Sequence, residues 1–308
     1  MKRLFFAFFV LAIAGLGLFW WLTRPVLAVS GAQAGALEQG GDAGRGELVF
    51  HAGGCASCHA TPGQPDRTRL GGGLQLKTAF GTFVSPNISP SQADGIGSWT
   101  TADLANAMLR GVSPEGAHYY PAFPYTTYAH AKLEDVRDLM AYLRTLPAVD
   151  GKAPAHDVSF PFSFRRGLGL WKLLFLDPTP LRDDPGQSAA WNRGHYLVNA
   201  LGHCAECHSP RNLAGGIVTA QRFAGGPDAE GRGWVPNITA RGIGSWSRGD
   251  IAELLATGFT PDYDSVGSSM ADVVRNTGAL PKADREAMAE YLKSLAAVDG
   301  PPRSSKKE

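Results

Sequence analysis

At 308 residues the chain is long enough for about two domains, and a 44% hydrophobic share suffices to pack their cores. Its 29 basic and 28 acidic residues leave a net charge of +1, which argues against nucleic acid as a partner. The 38 glycines and 21 prolines predict short helices joined by shaped loops.

Segment 1–30 decides the compartment. Met1, Lys2 and Arg3 precede an uncharged stretch of 19 residues, Leu4 to Leu22. That length crosses a hydrocarbon core as a helix. Trp20 and Trp21 close it, where amphipathic rings favour the membrane interface. The basic start predicts a cytoplasmic end, hence a single inner-membrane anchor with the rest of the chain in the periplasm. The competing reading is a cleaved signal peptide with Val26-Leu27-Ala28 as its small-residue site; both readings export the chain.

Segment 31–150 is read as the first domain. A helix is predicted at 42–51, just before Cys55-Ala-Ser-Cys58-His59. C-x-x-C-H is the attachment signature of c-type haem. Two thiols one short turn apart reach the two vinyl groups of the porphyrin as thioethers, and the adjoining His serves as the proximal iron ligand. A middle helix is predicted at 101–110, after Trp99. A terminal helix carries the apolar stripe Val136, Leu139, Met140, Leu143 and Leu146.

Segment 151–187 is a connector. It holds Phe160, Phe162, Phe164, Trp171 and Phe175, with Arg165 and Arg166 among them, and is too aromatic for a flexible linker. It reads as a strap packed across the domain interface. A sharper reading pairs Arg165 or Arg166 with a haem propionate.

Segment 188–300 repeats the first domain. A helix at 188–201 precedes Cys204-Ala-Glu-Cys207-His208, a middle helix spans 248–257, and the last helix carries Ala287, Met288, Tyr291, Leu292 and Leu295. Matched pairs keep a nearly constant offset: 148 for Arg45-Gly46 and Arg193-Gly194, 149 for Cys55 and Cys204, 150 for the Pro-Asn-Ile segments at Pro86 and Pro236, and 147 for the Gly-Ile-Gly-Ser-Trp segments ending at Trp99 and Trp246. Such constancy means two copies of one unit. Gly46 and Gly194 are placed to let the first helix of each copy approach the last closely. No run alternates as a strand would, so the fold class is all-α. The tail, 301–308, is polar and predicted to be disordered.

Two complete motifs in an exported chain predict two covalently bound c-type haems: Cys55 and Cys58 with His59 as iron ligand, and Cys204 and Cys207 with His208. A thioredoxin-like pair has no use for the following His. A zinc ion shared by four cysteines does not explain why both pairs end in His.

On both C-x-x-C-H motifs, both Pro-Asn-Ile and Gly-Ile-Gly-Ser-Trp segments, Tyr119-Tyr120-Pro121-Ala122-Phe123-Pro124-Tyr125 and Gly202-His203-Cys204, the chain resembles class I cytochrome c domains in tandem. More closely it resembles the cytochrome c subunits of membrane-bound alcohol, gluconate and related dehydrogenases. The resemblance implies that the carbonyls of Pro86 and Pro236 accept the proximal His proton, which orients the ring and strengthens the ligand. It implies that the indoles of Trp99 and Trp246 meet haem propionates; plain core packing is the alternative. It also places the second haem's sixth ligand at Met270, 24 residues after Trp246, while Met108, Met140 and Met288 fit core positions on helices. His208/Met270 ligation raises a haem's potential.

The first copy departs from the pattern, because 24 residues after Trp99 stands Phe123, which does not bind iron. Three readings stay open: His130 as sixth ligand, His118 from the other side, or a five-coordinate first haem. His51, His156, His195 and His203 are read as surface residues.

The expected function is electron transfer from a periplasmic dehydrogenase to quinone, another cytochrome or a terminal oxidase, at the membrane, with no substrate pocket of its own. The alternative is a haem enzyme, peroxidase-like or acting on a sulfur compound or small gas, that uses an open first iron. A sensor is a weaker third reading, since no output domain follows.

Overall fold

In a computed structural model, described for residues 1–228, 231 and 233–303, the N-terminal helix α1 (Lys2–Leu22) stands clear of the body until its last turn. Its most apolar window has a mean hydropathy of 2.3 and none of it is buried, so it is long and apolar enough to cross a membrane.

The first half follows as α2 (Gly31–Ala36), α3 (Ala43–Ala52), α4 (Cys55–His59), the hairpin β1 (Gln75–Thr78) with β2 (Gly81–Val84), α5 (Thr101–Arg110), α6 (Tyr125–Tyr128) and α7 (Leu133–Leu143). The connector holds a 3₁₀ turn, Arg165–Gly167, running into α8 (Leu168–Phe175). The second half contains α9 (Ala189–Tyr196), α10 (Cys204–His208), the short pair β3 (Gly226–Pro227) with β4 (Trp234–Val235), α11 (Ala240–Ile243), α12 (Arg248–Thr257), α13 (Ser269–Gly278) and α14 (Lys282–Ser294). One hydrophobic cluster runs through both halves, from Val29 and Phe50 to Tyr291 and Leu292.

The two halves use the same local devices. α5 and α12 start on capping boxes, Thr100 with Asp103 and Ser247 with Asp250, and stop at glycines in the left-handed conformation, Gly111 and Gly258. Both therefore occupy the spans expected for them. α3 crosses α7 where Gly46 touches the Asp138 carbonyl and Tyr142 Cβ; α9 crosses α14 where Gly194 touches the Ala287 carbonyl and Tyr291 Cβ. No side chain fits at either crossing. Before its Cys pair the second half carries one residue more than the first, counted from these glycines. A π turn, Leu197–Leu201, in which the Gly202 N–H bonds the Leu197 carbonyl, absorbs it and interrupts the helix expected at 188–201.

Two expectations need correction. The fold is mainly helical but not purely so: β1 and β2 pair antiparallel with Gln75 opposite Val84, and β3 pairs with β4. Strands of four and two residues are too short to show alternation in sequence. The connector is not simply a strap between halves. Trp171 donates to the Ala214 carbonyl (2.8 Å) and Phe175 packs on Gly216 in the second half, but Arg166 bonds α1, through Trp20 O (2.6 Å) and Thr23 Oγ1 (2.9 Å). Arg165 lies over the Tyr120 ring at 5.0 Å. Arg166 is thus committed to α1 rather than to a propionate. Residues 304–308 of the expected disordered tail lie outside the described residues.

Lys172, buried on the inner face of α8, ties this junction together. Its ammonium has one acceptor per proton: Arg110 O (2.6 Å), Gly111 O (2.7 Å) and His118 Nδ1 (3.0 Å). His118 Nε2 in turn donates to Thr23 O (2.8 Å), at the end of α1. Burial pulls the Lys172 pKa down to about 7. Lys172→Met leaves these acceptors buried and unpaired, so we expect a loss of about 2–3 kcal/mol, read as a lower thermal midpoint by circular dichroism.

Candidate haem-binding sites

Each Cys pair lies on a single helical turn, α4 or α10, which follows a residue with positive φ: Gly54 at 62° and His203 at 40°. Glycine takes that conformation freely, whereas at His203 it is strained. The turn places both thiols and the following imidazole side by side. Burial pushes the Cys55 and Cys204 thiols up to about 12, the reverse of the lowered pKa that dithiol redox chemistry needs. Among the described residues no three His, Cys, Asp or Glu side chains converge as a structural metal ion requires.

The imidazoles are held identically. His59 Nδ1 donates to Pro86 O (2.9 Å), and His208 Nδ1 donates to Pro236 O (2.8 Å). Each bond fixes the tautomer and leaves Nε2 as the atom with the free lone pair. Burial lowers both ring pKa values, favouring the neutral, ligating form. Each half thus presents two thiols and a neutral imidazole oriented by a carbonyl, the donor set through which a covalent haem would be held. Trp99 and Trp246 are half-buried against the core, and neither indole N–H has a partner among the described residues.

Sequence reasoning missed the glycines that seat the proline loops. Gly72 N donates to His59 O (2.9 Å) and Gly225 N to His208 O (2.8 Å), both at positive φ. A Cβ on Gly72 would meet Ser85 O and the Pro86 carbonyl, and one on Gly225 would meet Val235 O and the Pro236 carbonyl carbon. The signal was present as Gly71-Gly72 and Gly225-Gly226 ahead of each Pro-Asn-Ile, but only geometry gives it meaning. We expect Gly225→Ala to cost about 1–2 kcal/mol through backbone strain alone, and to displace Pro236 from His208, which nuclear magnetic resonance of the His208 ring would report.

For the other proposed ligands the placement is uneven. Met270 is half-buried on the first turn of α13, packed against the core. His130 Nδ1 donates to Thr179 O in the connector (2.7 Å), which leaves its Nε2 free. His118 has both ring nitrogens engaged, by Lys172 and Thr23, and is removed from the ligand candidates. Phe123 sits among the rings of Tyr119, Tyr125 and Tyr128.

The two attachment turns abut. The Cys58 thiol is pushed up to about 11, by burial first and then by nearby Cys207. Gly53 O accepts from Tyr128 Oη (2.7 Å) and from His203 Nε2 (3.2 Å), so His203 is an interface residue and not a surface one. Ser57 Oγ accepts from Asn276 of α13 (2.8 Å), and Arg67 pairs with Asp272 (3.1 Å). Glu206, between the second pair of cysteines, accepts from Thr126 (2.7 Å) and Thr127 (2.9 Å) of the first half and from Arg211 (2.6 Å). Burial opposes the charge of Glu206, but Arg211 and the two hydroxyls hold its pKa below the ordinary carboxylate value.

The cytochrome c family profile matches residues 43–147. The chain is 53% identical over 281 residues to the diheme cytochrome c-type protein of Cereibacter sphaeroides, covering 91% of this chain and 93% of that protein. It is 39% identical to the cytochrome c subunit of the quinone alcohol dehydrogenase of Gluconobacter oxydans and 38% identical to the fructose dehydrogenase cytochrome subunit of Gluconobacter japonicus. Each of those matches covers 82% of this chain but only 55% and 52% of the longer subunit, so the chain spans about half of either. With attachment turns of this geometry and relatives of this kind, the chain belongs to the cytochrome c family and is an electron-transfer cytochrome.

Proposed function

We propose that the chain is a membrane-anchored, periplasmic electron relay with two covalent haems, one in a domain spanning 31–150 and one in a domain spanning 188–300. The observation that carries this reading is the recurrence, in both halves, of a C-x-x-C-H turn whose imidazole bonds a loop-proline carbonyl. When bound, haem supplies a one-electron iron couple. The chain's own residues attach it, orient the proximal ring and set the polarity around it. Cys55, Cys58 and His59 serve the first haem, and Cys204, Cys207 and His208 the second. Met270 completes the second iron's coordination and raises its potential. At the first iron we assign the sixth position to His130, whose Nε2 is the ring atom left free. The abutting attachment turns, joined where Gly53 O accepts from His203 Nε2, support direct passage of an electron from one half to the other. α1 holds the relay at the membrane beside a donor dehydrogenase; a dehydrogenase partner is supported by relatives that are cytochrome subunits of an alcohol and a fructose dehydrogenase. Quinone, another cytochrome or a terminal oxidase takes the electrons.

The test combines ligation and access. Met270→Ala is expected to change the spectrum of one haem only and to lower its potential. Unchanged spectra of both haems would overturn the ligand assignment. Carbon monoxide added to the reduced protein is expected to bind neither haem rapidly. Rapid binding to half the haem would instead show an open first iron and favour the haem-enzyme reading, in which Phe123 replaces a ligand.

A further inference from the structure

Helix α8 is inside out for a helix on a water-facing protein. Its buried positions hold Gly169 and Lys172, while Leu170, Leu173 and Leu174 form an outward stripe at helical spacing. Leu173 is 61% exposed and Leu174 76%. The chain leading into it presents Phe160, 83% exposed, with Phe162 and Phe164. A patch of this composition marks a surface that meets something apolar.

Its position says what that is. Phe164 stacks on Phe19 of α1, ring centroids 6.1 Å apart and 14° from parallel. The Arg166 guanidinium lies 4.5 Å from the Trp20 ring centroid while bonding Trp20 O. Gly169 packs directly on the backbone of Thr23. At about 1.5 Å of rise per residue, Phe19 lies roughly 4–5 Å inside the end of α1. Lipid that surrounds Phe19 therefore reaches Phe164 as well. Trp20, Trp21, Arg24 and Arg166 gather at this level, the composition of a membrane interface.

We propose that the connector is a second membrane contact: the face formed by Phe160, Phe162, Phe164, Leu170, Leu173 and Leu174 rests in the lipid leaflet at the C-terminal end of α1. The inference rests on the reading that α1 is retained in the bilayer. An interfacial helix of this kind buries its apolar side at the headgroup–acyl boundary. With α1 and α8 locked together through Arg166, Gly169 and the Lys172–His118–Thr23 chain, the two contacts fix the height and tilt of the haem-bearing body. The same face of each half is then always offered to partners in the membrane.

Single cysteines in the haem-loaded, full-length chain test this in lipid nanodiscs without any partner protein. Leu174→Cys and Phe160→Cys probe the face, Leu16→Cys probes α1, and Leu213→Cys, fully exposed on the second half, is the aqueous reference. The readout is the rate of reaction with a charged maleimide, corrected for the parent chain. We expect positions 174 and 160 to react about tenfold more slowly than 213, and position 16 not to react. Equal rates at 174, 160 and 213, with 16 protected, would overturn the second contact while leaving the anchor intact, and would turn attention to a protein partner for the patch. Rapid reaction at 16 would overturn the anchor reading and this inference with it.

Discussion

Replacing Cys204 and Cys207 together by serine is expected to halve the haem bound per chain. The pyridine haemochrome assay would fall from two haems to one, and the remaining haem would stay on the first half in proteolytic fragments. The effect reaches beyond stoichiometry. α10 packs Ala205 and His208 into the core, and Glu206 bridges to Thr126 and Thr127. In the proposed relay a haem held by Cys204, Cys207 and His208 would bring a large apolar surface to a small helical unit, and its loss would remove that surface. We therefore expect the second half to melt separately and earlier, with the first half retaining its own transition. Two haems persisting in the double variant would rule out attachment at these thiols.

Gly194→Val is expected to cost about 3–5 kcal/mol, enough to unfold the second half at ordinary temperature. The physical reason is contact rather than propensity. A Cβ at Gly194 would overlap the Ala287 carbonyl, so α9 and α14 would have to move apart along the whole crossing. Gly46→Val is expected to behave the same way against Asp138 on α7. Gly44 is the control. It lies on the exposed side of the same helix as Gly46, where a Cβ meets only the end of the Asp42 side chain. Gly44→Ala should therefore be neutral or stabilising by about 0.5–1 kcal/mol. Thermal melts of the three variants, followed at the haem band and in the far ultraviolet, would check the contrast. Equal effects of Gly44→Ala and Gly46→Val would refute the tight-crossing account.

Much of the site could be read before any coordinates. The C-x-x-C-H phrases state their chemistry in five residues, and the repeat offsets tie Pro86 to Pro236 and Trp99 to Trp246. Helix spans at 101–110 and 248–257 were legible because capping residues and terminal glycines are local signals. The hairpins were not, because their strands are shorter than the period that would announce them. His203 was misjudged, and His118 left open, for a different reason. Nothing local distinguishes a loop histidine in water from one whose ring nitrogens bond Gly53, or Thr23 and Lys172, far away in the chain.

From sequence alone came the two C-x-x-C-H motifs, their recurrence at a near-constant offset and the apolar N-terminal stretch, since each depends on residue types at fixed spacings. The tertiary structure decided how the halves abut at the attachment turns, which side of α8 faces out, and which histidines still have a free nitrogen. Those properties arise from contacts between segments tens to hundreds of residues apart, and such contacts leave no periodic or local trace in the order of the amino acids.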